Sequence, residues 1–414
     1  MEAKKIQKPL HRKLIDSTLH RKQELQFLVN NVLSKVHISS VEDPLFNCKL
    51  TAGKAVQPKF SAAFVIVPRS MGITIKGHME LDESAGRPDS IEVKLDGKTI
   101  RKEQLVFKNN RASFAFPIKR PTLAHFPKSS ELQVVTSLGD IIPWKNSDRV
   151  CLEYPSGTGQ IHQLIEERGL LDKKGFIRLS AEELKERQNE YLKLYEKVRA
   201  VFDKDVGRPL FIIYGTLLGM YRDGDFIPGD DDFDVGYISK AQDPLSVKKE
   251  VEEIIFTLMR SGFTIVFNRR GKPFRIRETG GDPEIHLDVR PVWYQDGHVW
   301  AHKQACMPLK LEGFENIVEA QLRETKVYIP QDTEGFLRAY YGEGWKTPDP
   351  SFSNSSTAVP DHVRQNLKAN CFSPSELLKL KRLVERERAQ NPNMGELIAI
   401  GLMDLYPLSD YEIS

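Results

Sequence analysis

Four carboxylates, Asp230, Asp231, Asp232 and Asp234, fall within five residues of GDDDFDVG, residues 229–236, beside apolar residues that suggest a strand. In an extended chain the twofold alternation puts Asp230, Asp232 and Asp234 on one face and Phe233 and Val235 on the other. Two like charges ~6–7 Å apart repel by about 2–3 kcal/mol at an effective dielectric near 20, so such a cluster beside a core needs compensation. A divalent cation is the natural compensator. Carboxylate oxygens without His or Cys partners favour Mg2+ or Mn2+ over Zn2+. The alternative, an acidic turn open to water, fits poorly with the apolar flanks.

Other parts of a phosphoryl-transfer site stand nearby in the chain. Gly215 and Thr216 follow the apolar run 210–213 and offer a backbone that can approach a phosphate, with a hydroxyl donor. Downstream, EIHLDVRPV alternates, with Ile285, Leu287 and Val289 on one face and Glu284, His286, Asp288 and Arg290 on the other. A metal held by Asp232, Asp234 and Asp288 could bridge phosphate oxygens and neutralise transition-state charge, while a neighbouring carboxylate accepts the acceptor hydroxyl's proton. Arg222 and Arg290 suit a clamp on a donor diphosphate; each suits an ion pair with a nearby Asp equally well. Tyr341, Gly342, Gly344, Trp345 and Lys346 are placed to close over nucleotide or alcohol, and packing is the competing role for the two aromatics. Trp293, Tyr294 and Trp300 would have to surround a quaternary ammonium if the donor carried choline, although aromatics near a sheet are more often core.

Helical and extended periodicities mark the elements that must position these groups. Ser180 with Glu183 matches a capping box, and Leu184, Tyr191, Leu194, Tyr195, Val198 and Phe202 follow on one face. Asp243-Pro244 predicts a second helix start, with the stripe Val247, Val251, Ile254, Ile255, Leu258 and an end near Gly262. A late helix over 375–388, rich in both charge signs, reads as a solvated surface element. Residues 58–150 alternate with period two between turn signals, including Asp96-Gly97, and predict a β-sandwich-like domain. The stretch YPSGTGQ, residues 154–160, marks the expected passage to the second domain, 160–414. A basic helical arm, 1–40, precedes both.

The stretch GTLLGMYRDGDFIPGDDDFDVG resembles the signature of the LicD/fukutin-like phosphotransferases, relatives of the polymerase-β-type nucleotidyltransferases. YGEGWKTPDP, residues 341–350, resembles that family's second landmark. The resemblance implies an α/β (α+β) catalytic domain with a mixed sheet and a nucleotidyltransferase-like fold. It also implies transfer of a phospho-alcohol, such as phosphocholine, ribitol phosphate or glycerol phosphate, from a CDP-linked donor to a glycan hydroxyl, releasing CMP. By motif position, Gly215 and Thr216 match the glycine-hydroxyl element, Arg222 the basic residue before the acids, Asp232 and Asp234 the metal-binding pair, and Asp288 the third carboxylate. The cofactor implied is Mg2+ or Mn2+. Gly229 departs from the family, which commonly shows Trp before the acidic run. The β-rich block lies outside the resemblance; it reads as a spacer or partner-docking domain, or as a glycan-binding one.

Composition bounds the rest. With 414 residues, 60 Lys and Arg, 57 Asp and Glu and 40% hydrophobic residues, the chain is neither disordered nor a small disulfide scaffold. No apolar run approaches the ~20 residues of a membrane span, and no apolar stretch follows the first residues, so a cytoplasmic protein is expected. Four scattered cysteines predict reduced thiols. Residues 1–36 hold eight Lys and Arg against three acids, which suits a solvated helix, an RNA-binding arm or peripheral contact with an anionic membrane. No nucleic-acid partner is expected; the expected partners are a CDP-linked donor and a glycan or lipid-linked glycan acceptor in capsule, teichoic-acid-like or other surface polysaccharide synthesis. His298, His302 and Cys306 would suit zinc on a helix, but the texture there is extended, which separates the histidines too far for one ion. A DxD glycosyltransferase using a nucleotide sugar and a non-catalytic glycan-binding protein are the competing functions.

Overall fold

The computed structural model describes residues 48–399, apart from 58–59, 70–71, 82–85, 268–273, 283, 302–304, 350–351 and 353–359. The arm expected over 1–40 and His302 lie outside the described residues. The chain divides into two compact units at Ser180/Ala181.

The first unit is β-rich. Lys49–Ala52, Val150–Glu153, Ser129–Thr136, Ser90–Leu95 and Lys98–Gln104 pair in that order, with Ile141–Ile142 beside Ser129–Thr136. A second sheet runs Ser61–Arg69, Gly72–Glu80, Arg111–Lys119, Phe107–Lys108. Alternation sets the buried faces: Arg111–Lys119 turns Ala112, Phe114, Phe116 and Ile118 inward. Asp96 and Gly97 have φ of +49° and +81°, the left-handed pair that a two-residue hairpin turn requires. Both sheets contribute to one core, which joins Phe64, Ile75 and Phe116 with Ile91, Leu132 and Val150.

YPSGTGQ is a turn inside this unit rather than a passage out of it. A Cβ on Gly157 would lie 2.1 Å from the Phe126 carbonyl oxygen, so the glycine permits a close backbone crossing. Beyond it, Ile161 is buried in the same core and the Leu171 amide donates to the Ile100 carbonyl.

The second unit is mixed α/β. Its sheet follows the order Ile317–Leu322, Thr325–Pro330, Phe211–Ile212, Asp234–Ile238, Leu287–Gln295, Arg275–Glu278, Phe263–Phe267, Leu397–Ala399, with His298–Ala301 on Leu287–Gln295 and Ala305–Met307 beyond it. Asp234–Ile238 and Leu287–Gln295 pair in parallel, whereas Phe211–Ile212 and Asp234–Ile238 are antiparallel. The helix Ala181–Val201 buries Tyr191, Leu194, Tyr195 and Val198 as expected. The helix Pro244–Arg260 starts on Asp243, whose Oδ1 accepts from the amides of Leu245 and Ser246. All five stripe residues of that helix are buried, each contributing about 1.5–3 kcal/mol of apolar burial.

The late helix corrects its expectation. Pro374–Arg388 begins with a capping box, Ser373 with Glu376, and buries Leu377, Leu380 and Val384 in the main core. Its charges occupy the opposite face, and charge density alone hid the stripe. The four cysteines are free thiols. Among the described residues no helix is long and apolar enough to cross a membrane.

The helix Tyr214–Asp223 lies tightly against the loop that leads into the acids. A Cβ on Gly219 would stand 2.6 Å from the Ile227 amide nitrogen and 2.7 Å from the Asp225 carbonyl oxygen. Gly219→Ala should therefore lower stability by about 1–3 kcal/mol despite the better helix propensity of alanine. Urea unfolding measures this; an unchanged or raised midpoint would contradict the packing.

Candidate active site

Sheet register brings distant carboxylates together. Asp234 and Asp288 are directly opposite each other on parallel neighbouring strands, and the Asp288 amide donates to the Phe233 carbonyl at 2.9 Å. Asp234 is buried, and its amide donates to the Thr216 hydroxyl at 3.0 Å. Thr216 is itself 1% exposed, so this hydroxyl holds the start of the acidic strand. Gly215 and Thr216 occupy the first turn of the helix Tyr214–Asp223. Tyr214, at φ +52°, makes the junction between strand and helix, a conformation that costs a non-glycine residue about 1–3 kcal/mol.

The strand begins only at Asp234, so the expected one-face array of Asp230, Asp232 and Asp234 is not how the acids meet. Residues 230–233 form a loop, entered through Gly229 at φ +81°. That backbone conformation favours glycine over Trp at this position. In the loop, one ligand oxygen from each of Asp230, Asp231 and Asp232 lies within 4.8 Å of the others. Gln188 donates to the Asp230 carbonyl at 3.0 Å, and the Tyr191 hydroxyl to the Asp231 carbonyl at 2.7 Å. Arg323 in turn holds Gln188 and Asn189, each at 2.6 Å. The helix Ala181–Val201 thus fixes the loop's backbone and leaves its side chains to meet.

Charge is compensated unevenly. Arg290 reaches Asp288 at 2.7 Å and Asp234 at 3.4 Å, and Arg275 reaches Asp288 at 2.8 Å. Burial pulls the Arg290 guanidinium down, but the charges of Asp288 and Asp234 outweigh it and the net direction is up. Asp230 Oδ2 and Asp234 Oδ1 are both buried without a hydrogen-bond donor; Arg290 stands 3.4 Å from the second, whereas the first is the atom that a Cβ on Gly215 would approach to 3.2 Å. Burial, then the charge of Asp232, pushes the Asp230 carboxyl well above the usual carboxylate range. A buried orphan oxygen in an all-carboxylate set fits a hard divalent cation, which would be held by Asp230, Asp231 and Asp232. Asp232 belongs both to this group and to the set expected with Asp234 and Asp288.

The remaining expected residues divide. Arg222 is engaged by its neighbour Asp223, with contacts of 2.8 and 2.7 Å. Tyr341 and Tyr340 end the helix Thr333–Tyr341 beside the acids; burial first, then neighbouring charges including Asp234, raises both phenols. Gly342 terminates that helix at φ +88°. Trp345 is buried in the main core, with its ring 6.0 Å from Tyr221, and Lys346 lies over the Trp345 ring, 3.9 Å from Glu334. Trp293 and Trp300 stack at 6.0 Å in a separate cluster with Val247, Val363 and Leu367, while Tyr294 packs partly buried against the main core. His298 and Cys306 lie on extended strands.

Sequence reasoning missed Gln188, Tyr191, Arg275 and Glu284. Glu284, expected on the polar face of its strand, precedes the strand, and both its carboxylate oxygens are buried without a hydrogen-bond partner, with Arg187 at 3.7 Å. Burial raises its carboxyl from 4.5 to about 7, partly offset by Arg187, with Asp282 and Asp231 adding to the rise. The folded state therefore binds a proton that the unfolded state releases, and the contribution of Glu284 to stability falls as pH climbs through that window. Glu284→Gln should raise the melting temperature more at pH 8 than at pH 5, measured in EDTA. An equal effect at both pH values would contradict the assignment.

Residues 207–332 match the family model described as LicD/FKTN/FKRP, nucleotidyltransferase domain. The matched segment contains Thr216, all four acids of the run and Asp288. Among curated proteins, the chain is similar to ribitol-5-phosphate transferase FKTN of Mus musculus, 26% identical over 169 residues, which are 39% of this chain and 34% of that protein. The Homo sapiens protein of the same name is 25% identical over 149 residues, 34% of this chain and 30% of the relative. The chain thus spans about a third of the length of the curated relatives it matches. From the paired aspartates, the acidic loop and these matches together, residues 207–332 belong to the LicD/fukutin-like family.

Proposed function

We propose that this protein transfers a phospho-alcohol, such as ribitol phosphate, glycerol phosphate or phosphocholine, from a CDP-linked donor to a glycan hydroxyl. The acceptor oxygen bonds to the alcohol-bearing phosphorus, the bond from that phosphorus to CMP breaks, and the hydroxyl proton passes to a carboxylate of the cluster. The observation that carries this reading is the parallel pairing of Asp234 with Asp288 beside the Asp230–232 loop, all inside the family match. Mg2+ or Mn2+ on the acidic loop would supply charge stabilisation for the phosphoryl oxygens.

The chain's own residues account for the rest. Thr216 and Tyr191 hold the acidic segment from two sides, through the Asp234 amide and the Asp231 carbonyl. Tyr340 and Tyr341 form an aromatic wall beside the carboxylates, with Tyr341 also 4.9 Å from Phe352. A nucleotidyltransferase-like arrangement for residues 181–399 and a β-sandwich-like one for residues 48–180 belong to the same proposal. So do a surface polysaccharide or lipid-linked acceptor and contact of residues 1–36 with an anionic membrane.

Asp232→Asn should lower CMP release by about a thousandfold, the scale of several kcal/mol of lost charge stabilisation. Its melting temperature in EDTA should hold or rise, since one like-charge repulsion is gone. Retained turnover would overturn the assignment. In thermal-shift measurements with Mg2+, CDP-ribitol, CDP-glycerol or CDP-choline should raise the melting point, because only a ligand bound by the native state does so. A response to a UDP- or GDP-sugar, with none to any CDP-alcohol, would favour glycosyl transfer instead.

A further inference from the structure

A phosphate brought among these carboxylates needs donor groups of its own, and most of the candidates are already engaged. Arg222 is held by Asp223 at 2.8 and 2.7 Å, and Arg275 by Asp288 at 2.8 Å. Lys346 lies over the Trp345 ring, 3.9 Å from Glu334. Among the described residues, two buried donors of the site have no acceptor, the Nε of Arg290 and the hydroxyl of Tyr340. Arg290 is 7% exposed, and its Nη2 serves Asp288 and Asp234 at 2.7 and 3.4 Å, which leaves the Nε edge unused. Nothing in the sequence pattern points to Tyr340, yet three rings hold it. Its ring lies 4.7 Å from that of Tyr214, stacks on Phe336 at 5.9 Å and meets Tyr341 edge-on at 4.8 Å. Burial and then the charge of Asp234 raise its phenol, with Arg290 opposing, so the hydroxyl lies near the paired aspartates and keeps its proton.

We propose that the Tyr340 hydroxyl and the Arg290 Nε donate to a non-bridging oxygen of the donor's diphosphate, which makes Tyr340 a further substrate-binding residue. This rests on the phospho-alcohol transfer read above and deepens it. A buried donor left without an acceptor is destabilising, and its persistence marks a place where a ligand atom belongs. Two such donors in one neighbourhood fit an anionic oxygen, which accepts from both and strengthens each bond by its charge. They supply what a set of carboxylates lacks. Tyr340 and Tyr341 lie in the last turn of their helix, where helices fray most readily, so a ligand reaches the hydroxyl through local movement.

Calorimetric titration of the full chain in Mg2+ with CDP-ribitol, CDP-glycerol and CDP-choline tests this without any turnover. The comparison is between wild type and Tyr340→Phe, which removes one oxygen and keeps the ring packing. Whichever of the three binds wild type most tightly should bind Tyr340→Phe about tenfold to a hundredfold more weakly, the range of one hydrogen bond to a charged group. Cytidine, which carries no phosphate, should bind both proteins alike. Without ligand the variant should melt no lower than wild type, because a buried donor with no acceptor is gone. Unchanged affinity for the CDP-alcohol, or an equal loss for cytidine, would overturn the inference and leave the transfer reading intact. A variant that melts lower and binds as tightly would show a structural hydroxyl and overturn it as well. Wild-type protein that binds none of the three CDP-alcohols would overturn both.

Discussion

Mutual repulsion among carboxylates gathered where two central strands of the sheet begin is the constraint on which the rest of the second unit depends. Asp234 is 2% exposed and directly faces Asp288. Such a pair persists only when counter-charge is supplied at close range, and removing one partner of a buried ion pair typically costs about 3–5 kcal/mol. Arg290 and Arg275 supply that charge for the strand aspartates. The loop acids are held by other means, through backbone carbonyls grasped by Gln188 and Tyr191.

This division of labour explains several features that look unrelated along the chain. Thr216 is buried because its hydroxyl serves the Asp234 amide. Gly219 has no side chain because the loop 225–227 crosses directly over its helix. Gly215 leaves room for the Asp230 carboxylate. Each places backbone or carboxylate where a side chain would intrude, and together they set the acidic loop against a rigid strand and helix rather than on a free turn.

Much of this was legible in the amino-acid sequence where the signal was local. The Asp243 cap, the Asp96-Gly97 turn and the stripe Val247 to Leu258 depend on neighbours within a few residues, and each formed as expected. The apolar alternation around Asp288 also survived, because Leu287 and Val289 are both fully buried. Less legible was anything set by long-range register. Arg275 meets Asp288 only through antiparallel pairing of their strands, and Tyr191 meets Asp231 across 40 residues of chain. The alternation rule placed three acids on one face because it took the strand to begin at residue 230; the turn at Gly229 and the loop after it delay that start to Asp234. Trp345 and Trp293 resembled ligand-stacking residues by type, and burial alone shows that they pack.

The central claim is that the acidic loop grips a hard divalent cation at the centre of the site. Anomalous scattering from crystals grown with Mn2+ addresses it most directly. The account predicts a peak at about 2.0–2.3 Å from carboxylate oxygens of Asp230, Asp231 and Asp232, the distance range of hard-cation coordination. Mn2+ density elsewhere with none at this loop, or no peak at all at saturating Mn2+, would contradict it.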